Sequence, residues 1–156
     1  MRIKFYWIGA TRDSRMNDLE QEYLGRIRRF LPAAIHPVAE QKKQDPRGRA
    51  AQMSREGEKL LSLITPGSTI VALDEKGESL TSTGLAGWLE KSIARSQPEI
   101  AFIIGGFWGI PDEVRNRADK VISLSRLTFT HEIARVLLLE QIYRALAINS
   151  NLPYHK

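Results

Sequence analysis

The sequence contains no cysteine, which excludes disulfide bonds, thiolate metal sites and cysteine nucleophiles. Its only histidines, His36, His131 and His155, are far apart and form no His-Glu-x-x-His pair, so no metal site is expected. No apolar run approaches the ~20 residues that a membrane helix requires. Residues 1–7 alternate charged and apolar side chains and do not resemble a signal peptide. These absences predict a soluble, cytoplasmic protein with no membrane partner.

The composition is that of an ordinary folded protein. A length of 156 residues suits one domain, 1–156, around one hydrophobic core. With 42% hydrophobic and 26% charged residues, disorder throughout the chain is excluded. Lys and Arg number 23 against 18 Asp and Glu, which gives a net charge of +5. This modest surplus favours an anionic partner such as RNA.

Hydrophobic periodicity predicts strands that alternate with helices. The first helix, 17–30, is expected to bury Leu19, Tyr23, Ile27 and Phe30, and Thr81 or Ser82 is expected to cap a later one. This alternation predicts an α/β fold, a mostly parallel sheet with helices on both faces. The predicted strands are 3–7, 35–38, 69–73, 100–104 and 121–122, and the longest predicted helices are 17–30, about 50–64 and 131 to about 149.

Three segments that follow predicted strands are expected to meet at one edge of the sheet. These are 73–77, with a turn over 74–77, then 105–109 and 124–129. Ligands of open parallel sheets bind at that edge, and glycines allow close backbone approach, although each loop alone reads as a tight turn. The spacing Gly-Gly-x-x-Gly fits neither a dinucleotide fingerprint nor a P-loop, because Gly109 precedes Ile110 and Pro111.

Polar side chains outside these loops have structural as well as functional interpretations. The basic segment 41–49 is either a mobile, solvated connection or a contact to backbone phosphates. In the last helix, His131 is expected to lie near the N-terminus. Arg135 and Arg144 are either solvated or paired with Glu132 and Glu140.

The last third of the chain contains four motifs, which are Ile103-Ile104-Gly105-Gly106-x-x-Gly109, Leu124-Ser125-x-Leu127-Thr128-x-x-His131, Arg135-x-x-Leu138-x-Glu140-Gln141-x-Tyr143-Arg144-Ala145 and Pro153-Tyr154-His155-Lys156. With these motifs the chain resembles the RlmH family, the SPOUT-class methyltransferases of pseudouridine N3 in large-subunit rRNA. The resemblance implies a C-terminal trefoil knot that holds S-adenosylmethionine, a homodimer, and a pseudouridine substrate in helix 69 of 23S rRNA on the assembled ribosome.

The resemblance also implies site residues. Gly106 and Gly109 are expected to shape their turn. Phe107 and Trp108 are bulkier than the family loop suggests, and Leu152 stands where the family commonly has histidine, so a catalytic histidine at that position is not required. The residues expected to hold S-adenosylmethionine are Leu73, Gly105, Leu124, Ser125, Arg126, Leu127, Thr128 and Phe129.

The expected reaction needs help at the N3 proton of the pseudouridine. His155 or Tyr154 is the hypothesis for that proton or the adjacent carbonyl oxygens. Arg144 is either a stabiliser of developing negative charge or part of a structural ion pair. A non-catalytic, basic ribosome-binding or assembly protein is the alternative, and a small-molecule nucleotide enzyme is the third hypothesis.

Overall fold

The computed structural model describes residues 1–40 and 46–154. A single 3-10 turn, Pro46–Gly48, precedes the second of the α-helices described. None of the helices in the described residues combines the length and hydropathy that a membrane span requires. In chain order the elements are β1 Arg2–Ile8, α1 Ser14–Ile27, β2 Ala33–Val38, α2 Arg49–Leu63, β3 Thr69–Ser79, α3 Ser82–Ala94, β4 Glu99–Ile104, α4 Asp112–Arg117, β5 Lys120–Ser123 and α5 His131–Asn149.

The five strands form one sheet in the order β2-β1-β4-β3-β5. Every neighbouring pair is parallel. Parallel neighbours need long crossover connections, and the helices between the strands provide them. The predicted α/β fold with a mostly parallel sheet is therefore confirmed, and β4 and β3 lie inside the sheet.

Both faces of the sheet are covered by helices, as predicted. On β1, Ile3, Phe5 and Trp7 point into the core on the side of α1, α3 and α5, whereas Tyr6 and Ile8 point toward α2 and α4. This alternation follows from the period of two along a strand. Because residues of both faces are buried, the strands have continuous apolar runs instead of alternating polar positions.

Helix α1 begins three positions earlier than predicted. The Asp13 carboxylate caps it by accepting a hydrogen bond from the backbone N–H of Arg15 at 2.9 Å. The predicted buried face is partly wrong, because Leu19 is 37% exposed. Ile27 is buried as predicted, and Tyr23 and Phe30 are partly buried against the core. Leu24, which was not predicted, is buried as well.

Strand β3 is longer than predicted, and the turn expected over residues 74–77 is wrong. Leu73 and Glu78 both pair with Ile122 of β5, so the residues between them bulge out of the sheet. Gly77 lies against the backbone of β5, where a Cβ atom would be 2.5 Å from the carbonyl carbon of Ile122. Renewed pairing with β5, a distant segment, is what keeps this stretch extended.

Arg135 is buried, so of its two predicted alternatives the solvated surface charge is wrong. It is 3% exposed and donates hydrogen bonds from Nη2 to the carbonyl of Ile8 at 2.8 Å and from Nη1 to Oγ1 of Thr11 at 2.9 Å. Glu132 instead accepts a hydrogen bond from the backbone N–H of Arg12 at 2.6 Å. Arg135 therefore anchors α5 to the loop that follows β1.

Candidate active site

A cavity of about 460 Å³ opens at the carboxyl ends of β3, β4 and β5. Its volume falls within the ~300–1,000 Å³ that small-molecule sites occupy. The wall consists of residues 73–76, 104–110 and 123–129 except Arg126, together with side chains from α2, α4 and α5. The three loops meet at one edge because the strands before them run parallel.

The loop after β4 is shaped by its glycines. The backbone N–H of Gly109 donates to the carbonyl of Gly106 at 3.0 Å, and Gly109 has a φ of +89°. A Cβ atom on Gly105 would lie 2.1 Å from the carbonyl oxygen of Gly109. The close approach that Gly105 allows is therefore made by the loop's own backbone. Gly106 and Gly109 form the turn expected of them.

In the loop after β5, serine side chains form hydrogen bonds with the backbone. Ser123 Oγ donates to the carbonyl of Ser125 at 2.9 Å, and Ser125 Oγ accepts from the backbone N–H of Leu127 at 2.9 Å. Within residues 1–40 and 46–154, no backbone group of Thr128 or Phe129 is hydrogen-bonded to another backbone group. The main chain of these two lining residues therefore has donors and acceptors that the described backbone does not use.

Charged side chains complete the cavity wall. Asp74 forms an ion pair with Arg115 and accepts from the backbone N–H of Lys76 at 2.8 Å. Arg49 places its guanidinium carbon 5.1 Å from the ring centre of Trp108. No group of three or more histidine or acidic residues in the described part of the chain is arranged to hold a metal ion.

The structure brings together all but one of the residues expected to hold the cofactor. Arg126 is exposed and does not line the cavity. The cavity is lined by the rest of the set, which is Leu73, Gly105, Leu124, Ser125, Leu127, Thr128 and Phe129.

Several lining residues were not predicted as site residues. His131 lies at the start of α5, as expected, but it also lines the cavity. Asp74 and Arg115 line it as well, although their ion pair joins segments 41 residues apart. Arg49 reaches the cavity from α2, and no spacing in the sequence indicates that contact. Usable signals were the position of His131 directly after the loop 124–129, the place of Asp74 in the segment 73–77, and the place of Arg49 in the basic segment 41–49, of which residues 41–45 lie outside the described residues.

The comparison with known families is decisive for the class of protein. The family model described as "Predicted SPOUT methyltransferase" matches residues 1–155. The chain belongs to the SPOUT methyltransferase family. It is 45% identical over 156 residues to ribosomal RNA large subunit methyltransferase H of Trichlorobacter lovleyi and 43% identical over 157 residues to that of Geobacter sulfurreducens. Both matches cover 99% of this chain and 99% of the relative.

A solved structure shows that the fold is shared more widely. A probable methylase family protein from Haemophilus influenzae Rd KW20 matches with a TM-score of 0.56 at 13% identity. The match covers 99% of this chain and 70% of the other. At this identity the likeness supports the fold of a SPOUT methyltransferase and nothing about its substrate.

Two of the predicted catalytic residues of this SPOUT methyltransferase, Arg144 and Tyr154, do not line the cavity. Arg144 donates to Oε1 of Glu140 from Nε at 3.0 Å and from Nη1 to the carbonyl of Tyr154 at 3.1 Å. The ion pair predicted between Glu140 and Arg144 is therefore present. Arg144 follows His131 on α5, and at 1.5 Å per residue the two are ~20 Å apart along the helix. His155 lies outside the described residues.

The surroundings of Arg144 and Tyr154 favour their protonated forms. Burial, followed by the neighbouring Tyr23 and Glu140, raises the pKa of Tyr154 to about 12. The hydrogen bond to Glu140 raises the pKa of Arg144 above its ordinary value. At neutral pH this SPOUT methyltransferase therefore has a phenol and a guanidinium that donate hydrogen bonds, and neither is a proton acceptor.

Proposed function

We propose that this SPOUT methyltransferase binds S-adenosylmethionine in the cavity at the carboxyl edge of the sheet and methylates N3 of a pseudouridine in helix 69 of 23S rRNA. Relatives 45% and 43% identical to it are named as methyltransferases of large-subunit ribosomal RNA. The observation that carries the proposal is the cavity itself, where three separate loops meet and where the main chain of Thr128 and Phe129 has no backbone hydrogen-bond partner among the described residues. Ribosomes as the substrate also place its action in the cytoplasm.

The cavity residues suit the cofactor chemically. Leu73, Leu124 and Phe129 supply apolar surface for an adenine ring, and the main chain of Thr128 and Phe129 supplies donors and acceptors for its edge. When bound, S-adenosylmethionine supplies an electrophilic methyl group. The protein contributes orientation, which accounts for up to about 7–11 kcal/mol of a barrier in favourable cases. Arg126 contributes to this site only through its place in the loop.

The groups proposed to act at the pseudouridine come from a second copy of the chain. Arg144 lies ten residues after Ala134, which also lines the cavity, and is therefore ~15 Å from it along α5. Tyr154 donates to Glu140 beside Arg144, so we propose that a homodimer brings both groups to a cavity. As hydrogen-bond donors they suit the carbonyl oxygens that gain negative charge as N3 loses its proton. His155 is then the candidate proton acceptor.

Two further features are part of the proposal. The C-terminal trefoil knot is supported by membership of the family, and an experimental structure of the complete chain tests it by its path through the loop after β5. A single domain is supported by the one sheet whose two faces hold both core clusters. The family match over residues 1–155 supports it as well.

Methyl transfer from labelled S-adenosylmethionine tests the proposal directly. The substrates are intact ribosomes and, for comparison, free rRNA. We expect transfer to ribosomes and a product that maps to N3 of a pseudouridine in helix 69. Cofactor binding without transfer to any ribosomal RNA would contradict the proposed substrate. Absence of cofactor binding would contradict the proposed site.

Mixed oligomers test whether two chains share one active site. Leu124→Trp fills the cavity, whereas Arg144→Ala removes the guanidinium at the far end of α5. Each variant alone is expected to lose activity, and unfolding the two together and refolding them as a mixture is expected to restore part of it. Refolded wild-type protein is the control. An active Arg144→Ala homodimer, or a mixture as inactive as its parents, would contradict the shared site.

A further inference from the structure

The two most exposed large apolar side chains of the described residues both stand at the cavity. Leu127 is 74% exposed and Phe107 is 55% exposed, and both line the wall. They belong to different loops, one after β5 and one after β4. Other exposed apolar residues, such as Leu63 at 48%, do not line the cavity. Exposed apolar surface is thus concentrated where the proposed reaction takes place.

The ring of Phe107 packs on Trp108, and Trp108 in turn packs on Arg49. The Phe107 ring meets Trp108 edge to face, with the centroids 4.7 Å apart and an interplanar angle of 89°. Arg49 in turn lies 5.1 Å from the ring centre of Trp108. The backbone bridge between Gly106 and Gly109 closes the same loop. The exposed aromatic surface is therefore preorganised, which lowers the entropic cost of placing a partner on it.

The charge around these two side chains favours an anionic partner. Arg49, Lys76 and Arg115 line the cavity, and Arg126 is exposed beside Leu127. The acidic groups of the wall are Asp74, which is already paired with Arg115, and Glu75. The mouth is therefore net positive. RNA carries one negative charge per phosphate, so charge complementarity favours it as the partner at this mouth.

We propose a platform at the mouth of the cavity that holds an RNA base: Phe107 stacks on the base, and Leu127, on the other loop, adds apolar contact. Aromatic side chains beside cationic groups bind unstacked bases because every base offers a flat π-face. The proposal rests on the proposed function and adds to it the residues that hold the RNA near the methyl donor. Phe107 and Leu127 are positioning residues, since they bring the base to the donor and exchange no proton with it.

Phe107→Ala, Phe107→Tyr and the control Leu63→Ala test the platform. Loss of one base–aromatic stack is expected to raise the KM for ribosomes by about 5- to 100-fold in Phe107→Ala, with kcat nearly unchanged. Phe107→Tyr keeps the flat ring and is expected to behave as wild type. Leu63 is exposed at the far end of α2, so Leu63→Ala should leave KM unaltered. An unchanged KM in Phe107→Ala would overturn the platform.

Two further measurements separate this inference from other roles of Phe107. The affinity for labelled S-adenosylmethionine and the oligomeric mass should be the same in wild type and Phe107→Ala. Weaker cofactor binding would assign Phe107 to the cofactor wall, and a change of mass would assign it to a protein interface. Either result overturns the platform.

Direct RNA binding keeps the platform distinct from the proposed reaction. The probe is a fluorescent 23S rRNA fragment that contains helix 69, measured by anisotropy at fixed salt. If Phe107→Ala weakens binding while the wild type transfers no methyl group, the proposed function fails and the platform stands. If the wild type methylates ribosomes and Phe107→Ala binds and reacts equally well, the platform fails and the proposed function stands.

Discussion

The two ends of the central strands differ in how their polar groups are hydrogen-bonded. At the amino end, Glu99 is fully buried and accepts hydrogen bonds from Tyr6 Oη on Oε1 at 3.0 Å and from Thr65 Oγ1 on Oε2 at 3.1 Å. Lys4 Nζ also lies 3.0 Å from Oε2. At the carboxyl end, the main chain of Thr128 and Phe129 has no backbone partner in the described part of the chain. We call the amino end, around Glu99, the closed end, because its carboxylate is bound by neighbouring side chains. We call the carboxyl end, around the cavity, the open end.

This difference separates structural from functional polar residues. A buried carboxylate is tolerated only if its neighbours satisfy it, and burial with help from Glu99 raises the pKa of Tyr6 above its usual range. The Glu99 carboxylate is thus occupied by side chains of its own chain. The loops of the carboxyl end keep main-chain groups without a backbone partner among the described residues and place two exposed apolar side chains beside them. Titratable residues alone do not identify the functional edge of this sheet.

Glu99→Ala should produce the largest loss of stability, by breaking the closed end. Lys4, Tyr6 and Thr65 would lose their partner in a buried site, which typically costs about 3–5 kcal/mol of unfolding free energy. Chemical denaturation measures it, with Glu99→Gln as the control that retains an acceptor and should lose less. The protein that remains folded should bind S-adenosylmethionine normally. Unchanged stability, or weaker cofactor binding by the folded protein, would contradict the comparison.

Gly105→Ala should disturb the open end. Its Cβ would lie 2.1 Å from the carbonyl oxygen of Gly109, so the loop must move. Overpacking of this kind costs about 1–3 kcal/mol, and we expect cofactor binding to be lost as the wall shifts. Calorimetry measures both effects. Gly87→Ala in α3, where an added Cβ meets nothing within 4 Å, is the control and should stabilise by about 0.5–1 kcal/mol. Normal cofactor affinity in Gly105→Ala would contradict the placement of the cofactor against this loop.

His36 should give the smallest effect, as a pH dependence of the closed end. Burial first, and then the charge of Lys4, lowers its pKa below 6.5, while Glu99 acts in the opposite direction. The folded state therefore disfavours the protonated ring. Its contribution to stability is complete above pH 6.5 and is lost as the pH falls through the lowered pKa.

His36→Phe isolates this contribution because it keeps a ring to stack on Tyr6, 5.3 Å away between centroids. Denaturation of both proteins across pH 5–8 should show the wild type losing more stability than the variant toward acid. If the stabilities of the two proteins change in parallel with pH, His36 makes no pH-dependent contribution to the closed end.

Local patterns predicted most of the elements. Helix α5 spans His131–Asn149, as expected from its apolar residues. Thr81 caps α3 by accepting from the N–H of Gly84 at 3.0 Å. These features depend on side chains within a few positions of one another, so they are readable without the fold.

The part of the site that was predicted also depends on residues close together in the sequence. The loops after β4 and β5 were recognised from glycines and from a family motif, and they do meet at the cavity. Arg49 and Arg115 were missed, since their places in the wall depend on how α2 and α4 pack. The burial of Arg135 was missed as well, because its partners Ile8 and Thr11 lie more than a hundred positions away.

By itself, then, the sequence determined the alternation of strands and helices, the glycine turn after β4 and the family to which the chain belongs. The periods of side chains along helices and strands and the short reach of capping groups are properties of neighbouring residues. Only the tertiary structure decided that 74–77 stays extended beside β5, that Arg135 is buried, and that Phe107 and Leu127 stand exposed at one cavity. Each of those outcomes is a contact between distant segments, whose free energy exists only once the sheet has brought them together.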